Sequence, residues 1–150
     1  MADDDADTGP PGRALGLDLG ERRIGVALSD SAGRLATPLQ VIARSKRRAD
    51  DHQAIAGLVH EWEVDLVVVG VPYSLDGSIG PAAAKMLTEA EQLGDALGVP
   101  VETYDERLTT VTAERALMEQ DMNARERRRV VDQVAAAVML QAWLDRRSAP

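Results

Sequence analysis

Two alternating apolar runs meet at a tight turn in Gly16-Leu-Asp-Leu-Gly-Glu-Arg-Arg-Ile-Gly-Val-Ala-Leu-Ser-Asp30. Because side chains alternate between the two faces of a strand, this pattern predicts a β-hairpin with strands over 14–19 and 23–29. Asp18 then shares a face with Gly16 and Gly20. Since glycine weakens a strand interior, either a ligand or metal approaches the backbone beside Asp18, or the glycines set a bulge or turn and Asp18 is solvated.

Strand and helix patterns alternate through the rest of the chain. A third strand is expected over 34–43, at a sheet edge because Pro38 cannot donate to the ladder. The apolar run in 64–71 is typical of a central strand covered on both faces, and a last strand is expected over 99–104. Helical spacing and end signals predict helices starting at Asp50 or Asp51, running from Pro81 to Gly98, starting after Thr109 or Thr110, and running from Asn123 to about Leu144.

Length and composition indicate one globular domain. The chain has 150 residues, of which 45% are hydrophobic and none is cysteine. We expect a single domain over 14–146, preceded by a disordered acidic tail over 1–13 and followed by a short tail over 147–150. No apolar run is long enough to span a bilayer, and the acidic start lacks the features of a secretory signal. A cytoplasmic protein without a membrane partner is therefore expected.

The formal charge of −8 argues against a protein that coats nucleic acid through bulk positive charge. The basic residues are nevertheless clustered. One run consists of Arg44, Lys46, Arg47 and Arg48, and another of Arg125, Arg127, Arg128 and Arg129. Each run is either a solvated face or a patch that binds phosphates.

Acidic residues with a possible metal-binding role come from three separate elements. They are Asp18 on the first strand, Asp105 or Glu106 at the end of a late strand, and Asp132 on the last helix. Carboxylate oxygens suit Mg²⁺ or Mn²⁺, and two such ions about 4 Å apart can activate water for phosphodiester cleavage. Alternatively, Asp132 is a half-exposed helix residue paired with a neighbouring arginine.

Other chemistries lack their motifs. Zinc is not expected because there is no cysteine, and His52 and His60 show no ligand spacing. We expect both histidines at the surface. The sequence contains no Walker loop, no nucleophile elbow and no dinucleotide-binding glycine motif.

Four motifs in order resemble the YqgF/RuvX family. They are the hairpin from Asp18 to Asp30, Gly70-Val-Pro with Asp76-Gly-Ser, Asp105-Glu-Arg-Leu-Thr-Thr110, and Val131-Asp132 with Ala135-Ala136. The resemblance covers the chain from Leu15 to Leu144. It implies an RNase H-like α/β fold, with a mixed five-stranded sheet of three antiparallel plus two parallel strands flanked by helices. The implied activity is a metal-dependent nuclease that processes the 5′ end of precursor 16S rRNA.

The resemblance also implies roles for individual residues. Asp18, Asp105, Glu106 and Asp132 are the implied catalytic acids, with Asp18, Asp105 and Asp132 holding Mg²⁺ or Mn²⁺. Arg107, Thr109 and Thr110 are implied to support the site or touch phosphate. From their positive charge, and not from the resemblance, the residues expected to bind substrate are Arg22, Arg23, Arg44, Lys46, Arg47 and Arg48. Ser74 lies where relatives often have an asparagine, so the substrate contacts of that loop are open.

Several alternatives remain at this stage. Branched DNA is a second substrate class, and cutting both strands of a junction would require a homodimer where RNA trimming requires only a monomer. A non-catalytic RNA-binding module would be expected to have lost its acids, which are all present here. The Asp-x-Gly hairpin also resembles the phosphate loop of actin-like ATPases, but those enzymes use two such domains and 150 residues supply one.

Overall fold

The computed structural model describes residues 12–109 and 124–148, and within the last helix it describes side chains from residue 134 onward. Over these ranges the chain forms one five-stranded sheet in the order β3-β2-β1-β4-β5. The strands are β1 (Ala14–Leu19), β2 (Arg23–Ser29), β3 (Ala36–Ala43), β4 (Leu66–Val71) and β5 (Val101–Asp105). β1 to β3 are antiparallel, whereas β1, β4 and β5 run parallel. The predicted mixed sheet is confirmed.

The β1–β2 hairpin has the predicted bounds, and its pleat separates two faces. Leu15, Leu17 and Leu19 belong to the larger core cluster. The intervening positions Gly16 and Asp18 therefore point to the opposite face. Each face is covered by helices, so the sheet lies between two packed layers.

β3 begins two residues later than predicted because the Asp30 carboxylate holds the preceding residues in a turn. Its Oδ1 accepts hydrogen bonds from the backbone N–H groups of Arg34 at 2.8 Å and Leu35 at 3.2 Å. Pro38 lies opposite Ala27, beside an irregularity in the β2–β3 register. The predicted edge position of the third strand is confirmed.

The two parallel strands also begin later than predicted, for hydrogen-bonding reasons. The Val64 N–H donates to the Val59 carbonyl at the end of a helix, at 2.9 Å, so β4 starts only at Leu66. Pro100 has no N–H and contributes only its carbonyl, which accepts from Val67 at 3.0 Å. β5 therefore starts one residue after the proline.

The described helices are α1 (Arg48–Glu61), α2 (Pro81–Leu97) and α3 (Ala124–Ser148). α1 begins before the predicted Asp50, which places Asp50 and Asp51 in its first turn, where carboxylates favour the positive end of the helix dipole. α2 starts at the predicted proline and ends at Gly98, which has a φ of 73°. α3 continues four residues past the predicted end at Leu144. The predicted helix starts at Thr110 and Asn123 lie outside the described residues.

Two apolar layers position these helices. α1 and α2 cover one face of the sheet, where Ile55 and Leu93 are fully buried. α3 covers the other face and packs through Met139, Leu140 and Leu144. None of the described helices is long and apolar enough to cross a membrane.

Candidate active site

Most of the predicted site residues lie at one edge of the sheet, where the parallel strands end. β1, β4 and β5 run parallel, and β3 runs in the same direction because it is antiparallel to β2. The residues that follow these four strands therefore meet at one edge. That edge is the usual position of ligands in open α/β sheets.

Asp18 lies near this edge, on the α3 face, and is only 7% exposed. The solvated interpretation of Asp18 is therefore wrong. The flanking glycines have packing reasons of their own. A Cβ at Gly16 would lie 2.9 Å from the Leu140 Cβ, and a Cβ at Gly20 would lie 2.6 Å from the Arg23 carbonyl oxygen. Gly16 thus allows α3 to approach β1, and Gly20 belongs to the turn.

Glu106 lies on the same face as Asp18. In the parallel register Leu17 pairs with Val69, so Asp18 and Gly70 are the next neighbours, with backbones about 4.8 Å apart. The Glu106 carboxylate lies over Gly70, with its Oε1 2.9 Å from where a Cβ of residue 70 would be. Asp18 on β1 and the Glu106 carboxylate, which reaches over β4 from the end of β5, therefore lie on the same face and at the same level of the sheet.

Asp105 occupies a different environment. Its neighbour Tyr104 is buried against α3, so alternation directs the Asp105 side chain to the opposite face. The Asp105 carboxylate accepts from the Arg107 backbone N–H at 2.9 Å and from Arg107 Nε at 3.1 and 3.0 Å. These hydrogen bonds from Arg107 hold the pKa of Asp105 below its ordinary value. The Asp105 oxygens are thus occupied by an arginine.

Arg107 also organises the loop that follows β4. Its Nη1 donates to the Leu75 carbonyl at 3.3 Å, and its guanidinium lies 5.7 Å from the centre of the Tyr73 ring. The described contacts of Arg107 are therefore with Asp105 and with the loop after β4. Thr109 likewise bonds locally, because its Oγ1 donates to the Glu106 carbonyl at 2.9 Å. Thr110 lies outside the described residues.

α3 runs away from the carboxyl edge. Met139 reaches Gly70, whereas the Gln141 side chain accepts from the Ala36 N–H at the far end of the sheet, at 2.9 Å. Residues earlier in α3 are therefore nearer the carboxyl edge. The backbone of Asp132 belongs to this earlier part of α3. Its side chain, and those of Arg125 to Arg129, lie outside the described portion.

The basic run after β3 divides into two kinds of residue. Lys46, Arg47 and Arg48 are exposed at the carboxyl edge. Arg44 is only 15% exposed at its side chain and forms ion pairs with Glu89 at 2.7 Å and with Asp51 at 3.5 Å. In the turn between β1 and β2, Arg22 is exposed and Arg23 is half-buried.

Two buried groups differ from the sequence expectations. His52 was expected at the surface but is 8% exposed, because its Nε2 lies 2.8 Å from Glu89 Oε2. The burial of Glu89, which is 3% exposed, is not predicted by the sequence analysis. The spacing of Glu89 from Met86 and Leu93 places it within the apolar stripe of α2, and this position in the sequence indicates that its side chain is buried.

The described donors are of the type that a hard divalent cation requires. Asp18 and Glu106 present carboxylate oxygens from the same face of the sheet, and such oxygens suit Mg²⁺ or Mn²⁺. Within residues 12–109 and the described side chains of α3, no three His, Cys, Asp or Glu residues are grouped closely enough to hold a metal ion. A third protein ligand would therefore have to come from outside that set.

Sequence comparison identifies relatives along nearly the whole chain. The sequence model of the family described as "RuvX: Holliday junction resolvase" matches residues 12–146. A protein of Anaeromyxobacter sp. (strain Fw109-5), named "Putative pre-16S rRNA nuclease", is 53% identical over 137 residues, which cover 91% of this chain and 99% of the relative. A relative of the same name from Halothermothrix orenii is 45% identical over 133 residues, covering 89% of this chain and 94% of the relative.

Among solved structures, the chain is similar to RuvC from Thermus thermophilus in complex with a Holliday junction substrate. The TM-score is 0.57 at 15% sequence identity, and the match covers 92% of this chain and 98% of RuvC. At this identity the likeness concerns the fold. The expected RNase H-like arrangement is confirmed.

Proposed function

Because the chain belongs to the RuvX family, we propose that it is a nuclease that hydrolyses phosphodiester bonds in precursor 16S rRNA. The observation that carries the proposal is the burial of Asp18 on the same face as Glu106, at the carboxyl edge of the sheet. Two carboxylates on the same face of the sheet, one of them buried, present oxygen ligands of the kind that a divalent cation binds. This arrangement supports a metal-dependent reaction.

Three acids would hold the cation, namely Asp18, Glu106 and Asp132. Glu106 is preferred to Asp105 because its carboxylate lies over Gly70 on the face of Asp18, whereas Asp105 points to the opposite face, where it accepts hydrogen bonds from Arg107. Asp132 is included because it precedes Ala136 by one helical turn, and the Ala136 carbonyl lies 3.3 Å from where a Cβ of Gly16 would be. When bound, Mg²⁺ or Mn²⁺ supplies water activation and neutralises charge on the phosphate.

The protein contributes orientation and electrostatics to this reaction. Burial of Asp18 keeps solvent from screening its charge, so its attraction for a cation is stronger than at an open surface. The Asp105–Arg107 pair fixes the start of the segment that carries Glu106. The exposed cations Arg22, Lys46, Arg47 and Arg48 lie near the same edge and would contact substrate phosphates.

The test is cleavage of a precursor 16S rRNA leader by wild-type protein and by Asp18→Asn, each with Mn²⁺, with Mg²⁺ and with chelator. We expect wild-type cleavage only with metal, and loss of cleavage by at least about a thousandfold in Asp18→Asn. Asp95→Asn is the matched control because Asp95 is exposed on α2, and it should cleave normally. Cleavage by Asp18→Asn at the wild-type rate would contradict the proposal.

A four-way DNA junction is the second candidate substrate, because the matching family is described as a Holliday junction resolvase. The same enzyme preparations should be given a labelled junction in parallel. Faster metal-dependent cleavage of the junction than of the RNA would assign the site to branched DNA. Binding of RNA without cleavage of either substrate would identify a non-catalytic binding module.

A further inference from the structure

A cluster of ionisable side chains is buried behind the β1–β2 turn, on the face covered by α1 and α2. Its members Asp51, His52 and Glu89 are 3%, 8% and 3% exposed. Arg44 joins them through two parallel hydrogen bonds to Glu89, from Nη1 to Oε2 at 2.7 Å and from Nη2 to Oε1 at 2.8 Å. The cluster lies on the opposite face of the sheet from the acids of the proposed nuclease site.

A third N–H group of the Arg44 guanidinium, on Nε, holds the turn. Arg44 Nε donates to the Gly20 carbonyl at 3.0 Å. The Gly20 N–H in turn donates to the Asp18 carbonyl at 3.0 Å, and the Arg44 N–H donates to the Arg22 carbonyl at 2.9 Å. Arg44 is therefore linked to the backbone of Asp18 through a single intervening residue.

The charges in the cluster compensate one another. Burial alone would raise the pKa of Glu89, but hydrogen bonds from Arg44 and His52, together with the charges of Arg44 and Arg48, bring that pKa below its ordinary value. Glu89 is therefore anionic at neutral pH. With Glu89 and Asp51 beside it, the Arg44 charge is balanced inside the protein, so Arg44 has little attraction left for a substrate phosphate.

We propose that Arg44 and Glu89 form a positioning pair that fixes the β1–β2 turn and so holds the Asp18 carboxylate in place for metal binding and cleavage. This inference rests on the proposed function. It replaces the sequence-based assignment of Arg44 to substrate binding. The planar guanidinium is required because it reaches Glu89 and Gly20 at once, whereas a lysine ammonium cannot reproduce that fork.

Arg44→Lys and Glu89→Gln test the pair, and Lys46→Gln is the control because Lys46 is an exposed cation two residues away. In Arg44→Lys and Glu89→Gln we expect kcat and Mn²⁺ affinity to fall by on the order of tenfold or more, with KM little changed. In Lys46→Gln, Mn²⁺ affinity should stay at the wild-type value. Wild-type kcat and Mn²⁺ affinity in folded Arg44→Lys would overturn the proposal.

The salt dependence of RNA binding separates positioning from phosphate contact. The logarithm of the RNA-binding constant falls linearly with the logarithm of the salt concentration, and each phosphate contact adds about one unit to the steepness of that line. Lys46→Gln should therefore make the line less steep by about one unit, whereas Arg44→Gln should keep the wild-type slope. An equal loss of slope in Arg44→Gln would identify Arg44 as a phosphate contact and overturn the positioning role. If Arg44→Gln fails to fold, hydrogen exchange in Arg44→Lys decides the positioning role instead.

Amide hydrogen exchange in metal-free protein provides a readout independent of nuclease activity. Arg44→Lys should speed exchange in residues 18–22 while leaving β4 and α2 protected. Unchanged exchange in residues 18–22 would overturn the positioning pair even if wild-type protein cleaves RNA. If wild-type protein cleaves neither nucleic acid, the proposed function fails, and the exchange result still decides whether the pair holds the turn.

Discussion

Gly70 is the residue that allows the Glu106 carboxylate to lie beside Asp18. A Cβ at position 70 would lie 2.9 Å from Glu106 Oε1 and 3.2 Å from Met139 Cγ. Both neighbours are flexible side chains, so Gly70→Ala should shift the carboxylate and keep the fold. We expect cleavage to fall by about ten- to a hundredfold, with a change in unfolding free energy below about 1.5 kcal/mol.

The control for this substitution is Gly94→Ala in α2, where an added Cβ meets no atom within 4 Å. It should cleave normally and gain about 0.5–1 kcal/mol of stability, because alanine is the better helix former. Kinetics of RNA cleavage and urea unfolding measure both variants. Normal cleavage by Gly70→Ala would show that the position of Glu106 does not matter.

Glu89 should make stability depend on pH. Its pKa in the folded protein lies below the ordinary value of 4.5, so its stabilising contribution is complete above pH 4.5 and is lost as the pH falls through the folded pKa. We expect wild-type protein to exceed Glu89→Gln in stability by a constant amount between pH 6 and 7, and by progressively less below about pH 4.5. Urea unfolding across this range measures the difference, and a gap that widens in acid would contradict the assignment.

At the scale of elements, the close packing of α3 against the sheet depends on Gly16 of β1, which has no side chain. A Cβ at Gly16 would lie 2.9 Å from the Leu140 Cβ and 3.3 Å from the Ala136 carbonyl oxygen, and neither atom can move without the helix. Gly16→Ala should therefore push α3 outward and lower the unfolding free energy by about 1–3 kcal/mol. Urea unfolding tests this expectation, and wild-type stability would show that α3 packs more loosely than the distances indicate.

The strands and their faces follow from the sequence because alternation is a local property. Leu15, Leu17 and Asp18 therefore fall on the predicted faces. The ends of the strands are predicted less accurately from the sequence, because they are set by hydrogen bonds with residues outside the strand. Hydrogen bonds to the Asp30 carboxylate make β3 start at a later residue than predicted, and a hydrogen bond to the Val59 carbonyl of α1 does the same for β4. The Arg44–Glu89 pair cannot be predicted from local sequence patterns, because its two residues are 45 positions apart and meet only in the folded protein.

At the scale of the molecule, the parallel strands bring acids distant in sequence to one edge. Asp18 and Glu106 approach each other because β1 and β5 lie on either side of β4, and the Glu106 carboxylate lies over Gly70 of β4. The basic residues after β3 reach the same edge because β3 runs in the same direction as β1. Although the protein is acidic overall, it therefore has exposed cations beside the carboxylates of the proposed site, where they would attract a polyanionic substrate.

Calorimetric titration of Mn²⁺ into metal-free protein tests most directly whether this edge is a metal site. Wild-type protein should bind Mn²⁺, and Asp18→Asn, Glu106→Gln and Asp132→Asn should each weaken binding by about tenfold or more. Asp105→Asn should weaken it less, because Asp105 is paired with Arg107. Wild-type Mn²⁺ affinity in Asp18→Asn would contradict a metal-dependent nuclease site at this position.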